Sequence, residues 1–185
     1  MAGQIGTFLV DTIFSLFVYL LLARFHFQWL RVPFRNPIGE FLIACTNWIV
    51  LPVRRIVPGF GGLDLGTLLL AWLVRALGLW VAAAIAGASP HVGAVLAVSA
   101  VDMLRFSIHI LIFAIFLQVA FSWINPDAPM APYFDMITRP FLRPLRRIIP
   151  PIGRVDLSPL VLLLVLYVLE IPLAHLRAAA ALVAS

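Results

Sequence analysis

The chain has 185 residues, of which 63% are hydrophobic and 11% are charged, with a mean hydropathy of +1.08 and a formal net charge of +5. Soluble domains have about 45–50% apolar and 25% charged residues, so this composition excludes an ordinary soluble domain and indicates a membrane protein. All 13 basic residues are arginines. In a membrane protein such charge fixes orientation, so we expect no direct nucleic-acid binding.

Four apolar segments are long enough to cross a bilayer, which takes about 20 helical residues. The first is not predicted to be a cleaved signal peptide, because it lacks a basic start and has Asp11 in its middle. Before the third span, residues 92–102 are expected to form an initial turn or an interfacial helix. We therefore predict an all-α membrane protein with four transmembrane helices, at residues 5–23, 65–87, 103–123 and 157–176.

A shorter segment precedes the second span, and a related one precedes the fourth. At about 13 residues the first is too short to cross a bilayer, so it is predicted to lie in the membrane interface or to be tucked against the bundle. Its apolar face, at helical spacing, comprises Phe41, Cys45, Trp48 and Ile49. The second segment has a similar face that Pro140 and Pro144 are expected to break, comprising Phe134, Ile137, Phe141 and Leu145.

Arginines are concentrated in two segments, one between the first and second spans and one between the third and fourth. Each segment has five, and the turn between the second and third spans has none. By the positive-inside rule, both arginine-rich segments are predicted to be cytoplasmic and both termini to lie outside. The ten residues are Arg24, Arg31, Arg35, Arg54, Arg55, Arg139, Arg143, Arg146, Arg147 and Arg154.

These arginine-rich segments contain a repeated string. Residues 51–65 read LPVRRIVPGFGGLDL, residues 143–157 read RPLRRIIPPIGRVDL, and 8 of the 15 aligned positions are identical. We predict an internal duplication into residues 1–91 and 92–185. Because each unit contains two spans, the two helical hairpins would keep the same orientation and form a parallel repeat.

The second copy resembles the YggT family of small bacterial membrane proteins, also named YlmG in Gram-positive bacteria. The first copy departs from the family pattern at Gly66, where the family has serine, and at Trp48, where it has proline. The resemblance implies a multipass protein of the bacterial inner membrane built from two tandem family units. The matching positions are Ser122, Trp123, Asn125, Pro126, Thr138, Pro140, Pro144, Arg146, Arg147, Pro150, Gly153, Asp156 and Ser158.

The repeated string is predicted to form the cytoplasmic turn of each hairpin. Asp64 and Asp156 stand just before a span, where a carboxylate accepts free backbone N–H groups. Prolines are expected to interrupt the helices, so that the arginine pairs lie in short turns. The arginines could be architectural, anchoring to anionic lipid headgroups or pairing with the aspartate, or could dock a protein partner or an anionic lipid. The motif residues are Arg54, Arg55, Gly61, Asp64, Arg146, Arg147, Gly153, Asp156 and Ser158.

Charged residues inside the spans are a second candidate site, since each costs about 2.5–3.5 kcal/mol on insertion scales. From its depth in the second span, Arg75 is predicted to pair with Glu170, with Asp11, or with both. Asp102, Arg105 and His109 follow one another at spacings of three and four, so they form a polar stripe that could pair along its own helix.

Two classes of function fit these features. One is a non-enzymatic scaffold or assembly factor; the resemblance favours it, because chloroplast relatives are associated with haem attachment and nucleoid distribution, and Gram-positive members are encoded beside division genes. The other is a small ion or osmolyte transporter, as bacterial relatives are linked to osmotic-shock tolerance and potassium uptake. Four short spans enclose little volume unless the protein forms a homo-oligomer. We predict no enzyme, cofactor or metal, since no catalytic or ligand motif is present.

Overall fold

The structure, a computed structural model, describes residues 2–59, 61–149 and 156–182. Within those residues it contains six α-helices and no strand. A long helix, a shorter one and a second long one follow each other twice along the chain. The helices are α1 (Ala2–Trp29), α2 (Pro37–Ile56), α3 (Leu65–Ile85), α4 (Val92–Ile124), α5 (Ala131–Ile148) and α6 (Ser158–Leu182).

Four of these helices, α1, α3, α4 and α6, are long and apolar enough to cross a membrane. Even the shortest of the four, with 21 residues, would extend about 31 Å, which matches a hydrocarbon core of about 30 Å. Most of the surface of each span is apolar and exposed, as expected where lipid replaces water. The predicted all-α membrane fold is thus confirmed.

The helices pack as two similar groups. α1 packs most extensively on α3, and α4 on α6, while α2 lies against α1 and α3 and α5 against α4 and α6. Contact of α4 with α3 and α1 joins the groups. The innermost apolar cluster contains Val18 and Leu21 of α1, Val50 of α2, and Ala71 of α3. A second cluster joins α1 and α2 to α4 and α5, with Phe27 and Phe134 at its centre.

The third span differs from its prediction. Instead of a span at 103–123 preceded by a turn or interfacial helix, α4 runs without a break from Val92 to Ile124. Its 33 residues would extend about 50 Å, some 20 Å more than the hydrocarbon core. The small residues before position 103 include no proline, and Gly93, in the first turn, is the last glycine before Ile124. Nothing in the local sequence therefore ends the helix.

The short helices also correct a prediction, because they continue through their prolines. Pro52 lies inside α2, and Pro140 and Pro144 lie inside α5. All three prolines are exposed. The backbone carbonyl that each proline leaves without a donor can therefore reach water or headgroups, and the helix can bend on that side without disturbing the core. The arginine pairs consequently lie in the last turn of each short helix rather than in separate turns.

The buried faces of the short helices are shifted from those predicted. In α2, Phe41 and Trp48 are exposed, and the stripe packed against the bundle is Gly39, Leu42, Thr46 and Val50. In α5 the buried stripe is Phe134, Ile137, Thr138 and Leu142. Each short helix is thus tucked against the bundle on one face and has exposed apolar side chains elsewhere. Because threonine is polar, the search for apolar periodicity did not include the buried threonine of either stripe.

Candidate functional site

The Arg54–Asp64 pair, here termed the first elbow, closes the junction between α2 and α3. Arg54 Nε donates to Asp64 Oδ2 at 2.9 Å, and a terminal nitrogen of Arg54 also contacts that oxygen. The same terminal nitrogen donates to Gln28 at the end of α1. Asp64 is the N-cap of α3, where its Oδ1 accepts from the backbone N–H of Thr67 at 3.1 Å. Asp64, with 2% of its side chain exposed, thus bonds directly to α2 and α3, and α1 is joined to the pair through the Arg54–Gln28 hydrogen bond.

The Arg146–Asp156 pair, here termed the second elbow, repeats this pairing 92 residues later. Arg146 Nε donates to Asp156 Oδ2 at 2.8 Å, and Asp156 Oδ1 accepts from the backbone N–H of Ser158 at 2.9 Å. The exposed fractions are 41% for the Arg146 side chain and 34% for that of Asp156. The second pair is therefore far more open than the first.

Both elbow aspartates have a pKa below the ordinary value. Burial by itself raises the pKa of the Asp64 carboxyl, but hydrogen bonds from Arg54 and Thr67 outweigh burial and lower it. Burial also raises the pKa of Asp156, and the bonds from Ser158 and Arg146 again lower it overall. Each carboxyl is therefore charged in the folded protein at neutral pH, and each charge is satisfied by a guanidinium and a helix start.

The remaining motif residues are placed as follows. Gly61 adopts a φ of 62°, a left-handed conformation that glycine allows at low cost, between α2 and α3. Arg55 and Arg147 are exposed at the ends of α2 and α5, and Ser158 is buried at the start of α6. Gly153 lies outside the described residues.

A pair of buried threonines, also 92 positions apart, has a packing role that the sequence did not predict, although Thr138 was part of the family-like pattern. Thr46 in α2 accepts a hydrogen bond from Arg24 Nη1 of α1 at 2.7 Å. Thr138 in α5 donates to Gln118 Oε1 of α4 at 2.6 Å. In both units, then, the short helix is tied to the preceding span by a threonine that is fully buried. The equal spacing of Thr46 and Thr138 was the available signal.

An open cleft adjoins the second elbow. Two neighbouring cavities, of about 480 and 450 Å³, share Gln118 and Ser122 of α4 and Arg146 of α5 in their lining. Trp123 and Asp156 line the first of them, and Pro126 lines the second. Residues of the family-like pattern that lie far apart in the sequence thus gather around one cleft.

The charged residues of the spans form two groups of ion pairs, together termed the network. Arg75 reaches Asp11 Oδ1 with Nη1 at 2.7 Å and Asp102 Oδ2 with Nη2 at 2.7 Å. The second oxygen of Asp102 pairs with Arg177 Nε at 2.7 Å. Asp102 is 2% exposed, so both cations serve a carboxylate that has almost no solvent. A single aspartate of α4 therefore links α3 in the first unit to α6 in the second.

A second branch of ion pairs connects α4 with α6. Arg105 Nε lies 3.0 Å from Glu170 Oε2, and His109 Nε2 lies 3.2 Å from Glu170 Oε1. Tyr19 of α1 is hydrogen-bonded to His109 Nδ1 at 2.7 Å. Of the two partners predicted for Arg75, it contacts Asp11, whereas Glu170 pairs with Arg105 and His109. The polar stripe of α4 likewise pairs with other helices rather than along its own.

An apolar cavity of about 550 Å³ lies between the units. It is lined by His26 and Trp29 of α1, Leu104 and Ile108 of α4, and residues of α5 and α6. Trp29 and Phe141 face each other across it, with ring centroids 6.5 Å apart. This contact shows that the ends of α1 and α5 lie at one end of the bundle, which we term the elbow end.

Comparison with known proteins gives a consistent family match. The sequence model of the CCB3/YggT family matches residues 3–85 and again residues 97–177. The chain is 32% identical to "Uncharacterized protein YggT" of Escherichia coli K12 over 171 residues, which are 91% of this chain and 89% of that protein. An uncharacterized Pseudomonas aeruginosa protein is 31% identical over 167 residues, 88% of this chain and 85% of that protein. No solved structure matches the chain.

Proposed function

The chain belongs to the CCB3/YggT family, and on that premise we propose that it is a non-enzymatic scaffold of the bacterial inner membrane. Its elbow end faces the cytoplasm and docks an acidic surface of a protein partner through exposed arginines. Both termini then lie on the periplasmic side. The proposal concerns binding and assembly, and it assigns no reaction to the chain.

The orientation follows from where the arginines lie. Those of the segments that contain α2 and α5 belong to the elbow end, whereas the turn between α3 and α4, at residues 86–91, has no basic residue other than His91. Because short loops rich in arginine stay cytoplasmic, the elbow end is the cytoplasmic one. In a Cys45→Ser background, a membrane-impermeant maleimide applied to intact spheroplasts should label Ser89→Cys and not Arg143→Cys. The reverse labelling would contradict the orientation.

The observation that carries the docking proposal is a set of five exposed arginines at the elbow end. None of them forms an ion pair within the part of the chain that the structure describes. A free guanidinium offers five N–H donors in a planar fork that suits carboxylates. The set comprises Arg31, Arg35, Arg55, Arg143 and Arg147.

Exposed apolar side chains stand beside two of these arginines. Ile56 follows Arg55 at the end of α2, and Ile148 follows Arg147 at the end of α5, with 82% and 77% of their surfaces exposed. An apolar residue next to an unpaired cation is typical of an interface, where the first supplies burial and the second orientation. The two elbows present this Arg–Ile pair at equivalent positions.

Transport is less well supported by the same contacts. The network in the spans contains three arginines, Arg75, Arg105 and Arg177, and three carboxylates, and each arginine lies within 3.0 Å of a carboxylate oxygen. Charges that neutralise one another in this way stabilise helix packing and leave no free site for an ion. A transporter would need at least one of these groups to exchange its partner for a substrate.

The docking proposal is tested with full-length protein in native membranes. A photo-crosslinking residue at Ile148 should capture a defined polypeptide, and the same residue at Val92, exposed at the opposite end of the bundle, should not. Replacing Arg55 and Arg147 by glutamine should abolish the cross-link, whereas replacing both by lysine should retain most of it, since lysine keeps the charge. An unchanged cross-link in the glutamine variant would overturn docking.

A flux assay distinguishes the transporter alternative. Proteoliposomes containing the wild-type chain should show no potassium flux above empty vesicles. If flux were seen, and if Arg75→Ala abolished it while the variant stayed folded, the network would be a transport site and the scaffold proposal would be wrong.

A further inference from the structure

A groove leads from the second elbow along the seam between α4 and α6. The cleft cavity of about 480 Å³ continues past Val119, Leu160 and Leu163. A further cavity of about 450 Å³ shares Leu163 and adds Phe116 and Tyr167. The cavities thus follow one another from a polar end at the elbow to an apolar end within the span.

The length of this groove suits an acyl chain. Along α4 it is lined from Ser122 at the polar end to His109 at the apolar end, a distance of 13 residues or about 20 Å. Five of the groove-lining residues of α4 recur at spacings of three and four, so they form one stripe along the helix. That stripe is His109, Ile112, Phe116, Val119 and Trp123.

Polar groups at the elbow end of the groove have unused hydrogen-bonding capacity. Arg146 engages Asp156 through Nε alone, so its two terminal nitrogens have no partner in the described chain. In the first elbow, by contrast, a terminal nitrogen of Arg54 is already committed to Asp64 and Gln28. A guanidinium with free terminal nitrogens binds phosphate oxygens in a forked arrangement.

The charged residues around the cleft favour a headgroup that has both a positive and a negative charge. Besides Arg146, its lining includes the carboxylates of Asp156 and Asp135. Arg139 pairs with Asp135 from the exposed side, so the four charges sum to zero. A site that is neutral overall gains nothing from a net negative headgroup, but its carboxylates can accept hydrogen bonds from an ammonium.

We propose that the groove binds a phospholipid with a phosphoethanolamine headgroup. Arg146 binds the phosphate, the cleft carboxylates accept from the ammonium, and one acyl chain follows the α4–α6 seam. Arg146 is not among the five arginines assigned to protein docking, so this site does not depend on the proposed function. Asp156 also orients Arg146, because its Oδ2 accepts a hydrogen bond from Arg146 Nε.

Native mass spectrometry of the full-length chain tests this directly. The protein is exchanged into detergent with equal amounts of palmitoyl-oleoyl phosphatidylethanolamine and phosphatidylcholine, which differ in that the choline ammonium has no N–H donor. We expect adducts of the ethanolamine lipid to exceed those of the choline lipid by about tenfold, the effect of one charge-assisted hydrogen bond. Arg146→Gln should lower the adducts of both lipids, because both have the phosphate that Arg146 binds.

Matched controls separate this site from general attraction and from misfolding. Arg147→Gln removes the same charge one residue away but outside the cleft lining, and it should leave the amount of lipid adduct unchanged. If Arg146→Gln does not fold, Arg146→Lys replaces it and should lower the adducts of both lipids, because lysine lacks the fork. Leu160→Trp, at an exposed groove position, should reduce adducts of the ethanolamine lipid.

Three results would overturn the proposal. One is equal binding of the two lipids by the wild-type chain. Another is an equal loss of ethanolamine-lipid adducts in the Arg146→Gln and Arg147→Gln variants. The third is displacement of the lipid by soluble glycerophosphoethanolamine at concentrations near that of the lipid, which would show that the headgroup alone is the ligand.

Discussion

The two elbows share a sequence pattern and an ion pair, yet one is sealed and the other is open. Asp64 is 2% exposed and Asp156 is 34% exposed. The difference comes from what the surrounding helices supply. In the first elbow α1 contributes Gln28 and α3 contributes the Thr67 hydroxyl, whereas in the second, among the described residues, Asp156 accepts from the backbone N–H of Ser158 and from Arg146. The same local motif therefore forms a closed structural joint in one unit and a solvent-facing site in the other.

Two further positions separate the units at the same 92-residue offset. Gly78 in α3 packs on Phe14, while the equivalent residue of α6 is Glu170, which pairs with Arg105. Gly66 takes the place of Ser158 at the start of the span. The first unit uses small residues for close helix contact, and the second uses polar ones.

The largest difference between the elbows should appear when each aspartate is replaced by alanine. Asp64→Ala leaves Arg54 without its carboxylate and removes a buried cap, so we expect a loss of about 3 kcal/mol in unfolding free energy. Asp156→Ala should cost about 1 kcal/mol, the value of a cap and a screened pair. Unfolding of the detergent-solubilised protein, followed by circular dichroism, measures both. Equal losses would remove the distinction between a sealed and an open elbow.

Gly78→Ala tests the close packing of the first unit. A Cβ at position 78 would lie 2.6 Å from Phe14 Cβ, so overpacking should cost about 1–3 kcal/mol despite the better helix propensity of alanine. Gly3→Ala, whose Cβ would come no closer than 4.0 Å to its neighbours, is the matched control and should be neutral or slightly stabilising. The same unfolding measurement applies, and a neutral Gly78→Ala would mean that the α1–α3 contact is loose.

Substitutions at the start of α3 and α6 should have a smaller effect on stability, with a loss expected in the first unit and almost none in the second. In Gly66→Ser the new Cβ would lie 2.9 Å from the Val57 backbone oxygen, and we expect a loss of about 1–2 kcal/mol. Ser158→Ala should change stability by less than about 0.5 kcal/mol, because the buried hydroxyl has no hydrogen-bond partner among the described residues. If Gly66→Ser were tolerated, the tight approach of α2 to α3 would not distinguish the first elbow.

The smallest expected effect is on the pH dependence of stability. Both elbow aspartates have a folded pKa below the ordinary 3.8, so their stabilisation is complete above that pH and is lost as the pH falls through the folded pKa. The contribution of these two aspartates to the unfolding free energy should therefore be constant near neutrality and decline below about pH 4. Asp64→Asn and Asp156→Asn should each weaken the decline. In 1 M salt only the Asp64 contribution should persist, since screening acts on the exposed pair.

The sequence was sufficient for the number of spans and the all-α fold, but not for the partners of buried charges. Counting residues from the span ends placed Arg75 and Asp11 at similar depth, and these two do pair. Depth says nothing about which direction a side chain faces around the helix axis, and Arg75 faces α1 and α4 rather than Glu170 of α6. The proline rule failed for a related reason, because exposure of Pro52 and Pro144 depends on tertiary packing.

The cleft could not be predicted either. Ser122, Arg146 and Asp156 were singled out as parts of a linear pattern, but their convergence depends on how α4, α5 and α6 meet. The Thr46 and Thr138 spacing was visible in the sequence. Its meaning required knowing that each threonine is buried against the preceding span.

The ion-pair network also bears on how the chain can be synthesised. Spans emerge from the ribosome in order, so Asp11 of α1 is synthesised before its partner Arg75 of α3. After that, α4 brings Asp102 together with Arg105, and α6 brings Glu170 together with Arg177. The network charges inserted up to that point therefore sum to zero after α3, after α4 and again after α6. A chain halted after α4 would already be electrically balanced, and α6 would then add one charge of each sign.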